Sequence, residues 1–356
     1  MAEGWMRFTG ARVAAVCAVA GVLCVSGLAA HGGGAAGLAD APTPRLFADG
    51  VISTVDDEVN GSFSADGQEY YFGKLNQYTN FPNVGILCVS HLRDGKWSEP
   101  EVLPFSGQNL DFAPRMSPDG TTMYFGSARP APEETARVMR IWSVKRNGSG
   151  WDTPQPLPAP VNVENHWDWA PSVTKDGTIY FASDRSDDGH PHIYRSRLVN
   201  GVYAEPEKLG PAVNSEFSET DAFVSADERV LVFASIGNEL PLATDRPETV
   251  KGGGVRYPRA DLYVSVRGDG GSGDWSPAKH LEHDINTFAD ESSPSISPDG
   301  KYLFFSSERS PFSVPTAHPM SHAEFESALH STLNGHGNIF YINIDALGVA
   351  APKESK

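Results

Sequence analysis

Glu291 to Arg309 reads ESSPSISPDGKYLFFSSER: a short alternating segment, a tight Pro-Asp-Gly turn, then an aromatic-rich second segment ending in Ser-x-Arg. Polar turn residues between two β-prone runs specify a hairpin. The same pattern recurs as EVNGSFSADGQEYYF from Glu58, DFAPRMSPDGTTMYF from Asp111, DWAPSVTKDGTIYF from Asp168 and ETDAFVSADERVLVF from Glu219. The turn aspartates Asp66, Asp119, Asp176, Asp227 and Asp299 stand 53, 57, 51 and 72 residues apart. A period of that size marks an architecture of repeated supersecondary units.

Each hairpin is followed by a third alternating segment: GILCVSHL, MRIWSVKR, HIYRSRL, DLYVSVR and NIFYINI. A turn and a W-x-x-P-x-x-L element come next, seen in Trp97, Pro100 and Leu103, in Trp151, Pro154 and Leu157, and with Tyr203 before Pro206 and Leu209. Trp275, Pro277 and Leu281 give a looser version. A lone four-stranded sheet cannot bury both faces, whereas five arranged radially can. The expected fold is all-β: a five-bladed β-propeller of four-stranded antiparallel blades. The fifth unit lacks its final strand, so the N-terminal stretch around Pro44 to Val51 is expected to complete it and close the ring.

Residues 1–41 differ in kind. Arg7 and Arg12 precede an apolar, acid-free run from Val13 to Ala30, the pattern of a cleaved signal peptide, here followed by a small-residue linker. The expected domains are therefore 1–41, signal and linker, and 42–356, the propeller, with no membrane span after cleavage and a secreted or periplasmic location. Cleavage would leave Cys88 alone, without an intramolecular disulfide partner. The net charge of −17 argues against nucleic acid and favours cations or basic surfaces.

Over nearly the whole of this region the repeats resemble the WD40-like PD40 repeats of TolB-like propellers, and Glu291 to Arg309 carries the likeness most fully. That resemblance implies the fold. For function it implies little, because the repeat serves binding scaffolds, lyases and peptidase-associated domains alike. TolB-like proteins place an α/β domain before the propeller, so the contacts of that domain are not carried over.

An acid precedes the Pro position by three residues in every copy: Glu58, Asp111, Asp168, Glu219 and Glu291. Lining the channel, neighbours at roughly 8 Å would repel by about 2 kcal/mol per pair, which demands neutralisation. Arg129, Arg185 and Arg309 are placed to supply it in three units, whereas Asn76 and Gly237 stand there in blades one and four. Glu58 and Glu219 are then expected to lack partners. Three roles follow: structural pairing, a Ca²⁺ or other divalent-cation site, or catalytic acids, Asp168 and Glu219 foremost.

His166, Trp167, Asp168 and Trp169 form a candidate ligand-stacking cluster at the channel mouth, and Arg115 either projects into the channel or serves as an internal counter-ion. His190, His192, His280 and His283 are expected at peripheral positions. Two insertions interrupt the repeat, one after Gly237 and one after Ser310. The second carries a capping box at Ser321 and Glu324 and an apolar stripe of Phe325, Ala328, Leu329 and Leu333. No nucleophile elbow, zinc-protease, P-loop or dinucleotide motif is present. The functional expectation is a binding or protein-interaction scaffold engaging a protein partner or an oligosaccharide at the channel mouth. The alternative is a carbohydrate-active hydrolase or lyase using channel acids.

Overall fold

A computed structural model describes residues 38–75, 84–130, 138–237, 249–250, 254–255, 259–268, 273–282, 284–312 and 318–349. Residues 1–37, which hold the run read as a signal peptide, lie outside the described residues, as do Asn76, His283 and most of the insertion after Gly237. Five antiparallel sheets form the blades of a propeller. From the channel outward, blade one runs Asp57–Phe63, Glu69–Leu75, Gly85–Arg93 and Glu101–Val102. Blade two runs Asp111–Met116, Thr122–Ser127, Arg140–Asn147 and Gln155–Pro156, and blade three Asp168–Val173, Ile179–Ser183, His192–Ser196 and Glu207–Lys208. Blade four runs Ser218–Val224, Val230–Ile236, Ala260–Val266 and Lys279–His280.

Blade five is Glu291–Ile296, Tyr302–Ser307 and Asn338–Asn343, completed by the N-terminal strand Arg45–Leu46. Arg45 pairs with Tyr341 and Leu46 with Phe340, so the ring closes as the repeat demands. Residues 38–41, assigned to the linker by sequence, also touch this blade: the Ala41 amide donates to Asn343 Oδ1 at 2.9 Å, and Tyr302 Oη donates to the Leu38 carbonyl. Phe47 is fully buried between blades five and one, against Phe63, Tyr70, Trp97, Phe304 and Tyr341. No helix among the described residues is long and apolar enough to cross a membrane.

The cores lie between blades. Tyr71 and Leu87 of blade one meet Met116, Met123 and Phe125 of blade two, and equivalent clusters fill the other four interfaces. The hairpin turns are built alike, with Asp-Glu in place of Asp-Gly in blade four. Ser64, Ser117, Thr174, Ser225 and Ser297 each donate to the turn aspartate two residues on, at 2.5–2.7 Å.

One feature of every inner strand is absent from the hairpin signature. Pairing with the second strand slips between the residues one and four positions after the repeat acid, leaving a β-bulge. Its central residue has a left-handed backbone: Asn60 at φ 57°, Ala113 at 51°, Ala170 at 49°, Asp221 at 52° and Ser293 at 56°. Such residues cost about 1–2 kcal/mol apiece outside glycine. Ladder bonds on both sides and the anchored acid two residues earlier hold them there.

The helix of the last insertion spans His322–Leu329, with the Ser321/Glu324 capping box formed. Its stripe divides: Ala328 is buried and Leu333 packs on the core, while Phe325 and Leu329 are exposed.

Candidate functional site

The five repeat acids, expected as a carboxylate ring around the channel, are instead fully buried within the blades. Asp111 accepts from Ser106 Oγ at 2.7 Å, Ser127 Oγ at 2.6 Å and Arg129 Nη2 at 2.7 Å. Asp168 accepts from the Val163 amide at 3.0 Å and Arg185 Nη2 at 2.6 Å. Glu291 takes the Thr287 amide, Thr287 Oγ1 and Ser307 Oγ at 2.6–2.8 Å, with Arg309 at 3.4 Å. Each arginine also lies over two aromatic rings of its blade, as Arg185 does over Phe181 and Tyr194. Each acid thus ties the loop entering its inner strand to the second strand.

Glu58 and Glu219, expected without partners, both have them. Glu58 pairs with Lys74 at 3.1 Å and accepts the Thr54 amide and hydroxyl. Glu219 pairs with Nδ1 of His192 at 2.9 Å and accepts from Ser215 and Ser235. His192, expected at the periphery, is fully buried, and its Nε2 meets Asp188 at 2.9 Å. Asp188, whose side chain is about half exposed, is drawn well below the usual carboxylate range; desolvation opposes this, and donation from Lys208, the His190 amide and His192 prevails. The hydroxyl residue four before each glutamate (Thr54, Ser215, Thr287) is the sequence signal for this arrangement that repeat alignment overlooked.

Burial raises the carboxyls of Glu58 and Asp168, and takes Glu291 to about 7. Among the described residues, no group of three or more His, Cys, Asp or Glu side chains could hold a metal ion. The acid ring considered for Ca²⁺ is dispersed into separate blade interiors.

The bulge turns the next residues toward the channel. One position after the acid stand Val59, Phe112, Trp169, Thr220 and Ser292, so the mouth is apolar over blades one to three and hydroxylic over four and five. Phe112, Trp169 and Leu75 pack in one cluster, and Trp169 Nε1 donates to Thr220 Oγ1 at 2.9 Å, fixing the indole across two blades. Trp167 is 39% exposed on the adjoining loop. Its amide donates to Asp184 Oδ1 at 2.8 Å, and His166 Nδ1 lies 3.2 Å from the same oxygen. The sequence-proposed cluster therefore splits: Trp167 and Trp169 reach the mouth, His166 leans on Asp184, and Asp168 is buried.

One layer deeper, Asn60 Nδ2 donates to Ser293 Oγ at 2.6 Å, and Ser293 Oγ donates to Asp221 Oδ2 at 3.4 Å. Of the acids on the inner strands, Asp221 alone is not buried. Enclosure by the blades raises its carboxyl to about 6, against the pull of Arg115 and Ser293. Below it Arg115 leaves blade two and crosses the channel, donating through Nη2 to the Pro294 carbonyl of blade five at 3.1 Å and lying 5.2 Å from the Phe223 ring centroid of blade four. Its enclosure lowers the guanidinium to about 10, with Tyr70 and Asp221 opposing that fall.

Arg115 thus spans from blade two to blades four and five, with Asp221 the acid that influences it and no acid in ion-pair contact among the described residues. Asp221 was missed. Its signal was a charge at a position that is Asn, Ala, Ala and Ser in the other repeats.

At the opposite, Asp-Gly face, a groove of about 460 Å³ lies between blades two and three, lined by Pro118, Tyr124, Lys175 and Leu198 among others.

No family model matches the sequence, and no curated protein matches it. Solved structures share the fold at low identity. An α-L-arabinofuranosidase from Lactobacillus brevis is 10% identical, with a TM-score of 0.50 over 82% of this chain and 92% of its own. An oligogalacturonate lyase from Vibrio parahaemolyticus is 14% identical, with a TM-score of 0.37 over 80% and 65%. A puromycin-hydrolyzing peptidase from Mycobacterium tuberculosis is 12% identical, with a TM-score of 0.37 over 79% of this chain but only 41% of its own length.

Proposed function

We propose that this propeller is a saccharide-binding module acting outside the cytoplasm, with the ligand seated at the channel mouth. The observation that carries the reading is the two-sided wall of that mouth. Phe112 and Trp169 offer ring faces on one side, while Asp221 and Ser292 offer polar atoms on the other. A sugar ring has an apolar face and a polar rim, and such a wall suits both. The export half of the proposal is supported by the apolar run Val13 to Ala30. Kinship with PD40 repeats is supported by the run from Glu291 to Arg309.

The second reading, a carbohydrate hydrolase or lyase, is favoured by Asp221, whose carboxyl near 6 suits proton transfer close to neutral pH. Asp168 and Glu219 give way to Asp221 in this reading, since both are buried and paired. Two-carboxylate glycoside hydrolysis needs a second acid roughly 5–9.5 Å away. The other inner-strand acids are all buried, which is why binding is placed first.

Thermal unfolding with arabino-, xylo- and galacturono-oligosaccharides tests both. A ligand at a hundred times its Kd stabilises by about 2.7 kcal/mol, a rise of several degrees. The Trp169→Ala variant is expected to lose that rise. Product formation abolished by Asp221→Asn would establish the second reading. No response to any sugar would overturn the saccharide reading and leave the mouth to a protein partner.

A further inference from the structure

Arginines 129, 185 and 309 each contact a carboxylate, at 2.7, 2.6 and 3.4 Å. Arg115 is as deeply enclosed and has no acid within 4.0 Å among the described residues. Its Nε is sealed from solvent without an acceptor, and one Nη2 hydrogen goes to Pro294. Nη1 has no protein acceptor yet is not sealed off, so it faces the channel. A cation withdrawn from water and left without a contact anion is unfavourable unless something supplies the charge.

Blade one is altered to fit around this group. The position after the bulge is Pro in blades two, three and five and Ala in blade four, but Gly61 in blade one. A Cβ there would lie 1.6 Å from Tyr70 Oη. Tyr70 in turn occupies a place held by Met123, Ile179, Leu231 and Leu303 in the other blades. Its hydroxyl thus passes through the glycine gap toward Arg115 and has no acceptor. Both are departures from the repeat, and the guanidinium reaches across to Pro294 and Phe223, on the blade-four and blade-five side where Asp221 also stands.

We propose that the sugar bound here carries a carboxylate, a uronic acid, whose carboxylate meets Arg115 while its ring hydroxyls donate to Asp221 and its face lies on Trp169. This rests on the saccharide reading of the mouth. A guanidinium is the side chain best shaped to receive a carboxylate. A phosphate monoester would bring nearly twice the negative charge of a carboxylate against Asp221. A uronate matches both ends of the pair, because its acidic and hydroxyl groups lie on one ring.

The experiment is calorimetric titration of the full chain with a galacturonate oligomer and with the neutral galactose oligomer of equal length and linkage. The uronate is expected to bind the wild type at least about tenfold tighter, the order of one charge-assisted bond. Arg115→Met should bring the two to equality. The wild-type pair decides the matter even if that variant does not fold. Equal binding of both oligomers, or preference for the neutral one, overturns the carboxylate assignment and spares the saccharide reading. Failure of every sugar to bind overturns the saccharide reading, and the assignment with it.

Discussion

Asp168 and Asp221 stand on neighbouring inner strands and differ in almost everything that decides their use. Asp168 belongs to the repeat: each blade has an acid at its position, fully buried, fed by hydroxyl, amide and cation donors. Asp221 has no counterpart, sits at a bulge with a left-handed backbone, and is the inner-strand acid left open to the channel. A charge present in every repeat is held in place by the requirements of the blade. A charge present once is free of that requirement, and the same holds for Arg115 beside Arg129, Arg185 and Arg309.

The largest effect is expected on the repeated side. Asp168→Ala leaves Arg185 buried without its acid and should cost about 3–5 kcal/mol in chemical unfolding. A loss below 1 kcal/mol would remove the contrast.

On the unrepeated side, the folded carboxyl of Asp221 is raised to about 6, above the roughly 3.9 of an unfolded chain. Its contribution is therefore fully present below pH 4 and is lost as pH climbs through 6. Discounted for channel solvent, wild type should weaken by about 1–2 kcal/mol over that window relative to Asp221→Asn. Parallel pH profiles for the two proteins would show that enclosure does not raise the carboxyl of Asp221.

Lys74→Met sharpens the comparison within the repeated acids. Glu58 keeps both Thr54 bonds and Lys74 is partly exposed, so about 1 kcal/mol is expected, well short of the loss from Asp168→Ala. Of similar size, Trp169→Phe removes one hydrogen bond to Thr220 and should cost about 1 kcal/mol of stability while weakening ligand binding measurably.

The propeller was legible because its signals are local and repeated: alternating segments, Asp-Gly turns, and a fifth unit lacking its last strand. The acids were legible as a pattern, but their destination was not. Their orientation depends on a bulge whose left-handed residue is Asn, Ala, Ala, Asp and Ser rather than glycine, so composition gives no sign of it. Lys74 and His192 escaped notice for another reason. Lys74 reaches Glu58 from the Ser position of the Ser-x-Arg element rather than from the Arg, and His192 reaches Glu219 from the preceding blade. Arg115 stood out because its neighbours in the repeat are uncharged, and the same test applied to Asp221 would have found it.

The strand Arg45–Leu46 clasps the far end of the chain, and this has a kinetic meaning. Each inter-blade core joins segments made one after another, whereas this pairing joins residues almost 300 positions apart. Non-local contacts form late, because loop-closure entropy must be met before they reward it. Blade five is thus the last to assemble as the polypeptide folds, and Phe47 is the bolt shot home at the end. The same seam is where the native ring should breathe first, so amides of Phe47 and Ile339 should exchange with solvent ahead of those in blades two and three.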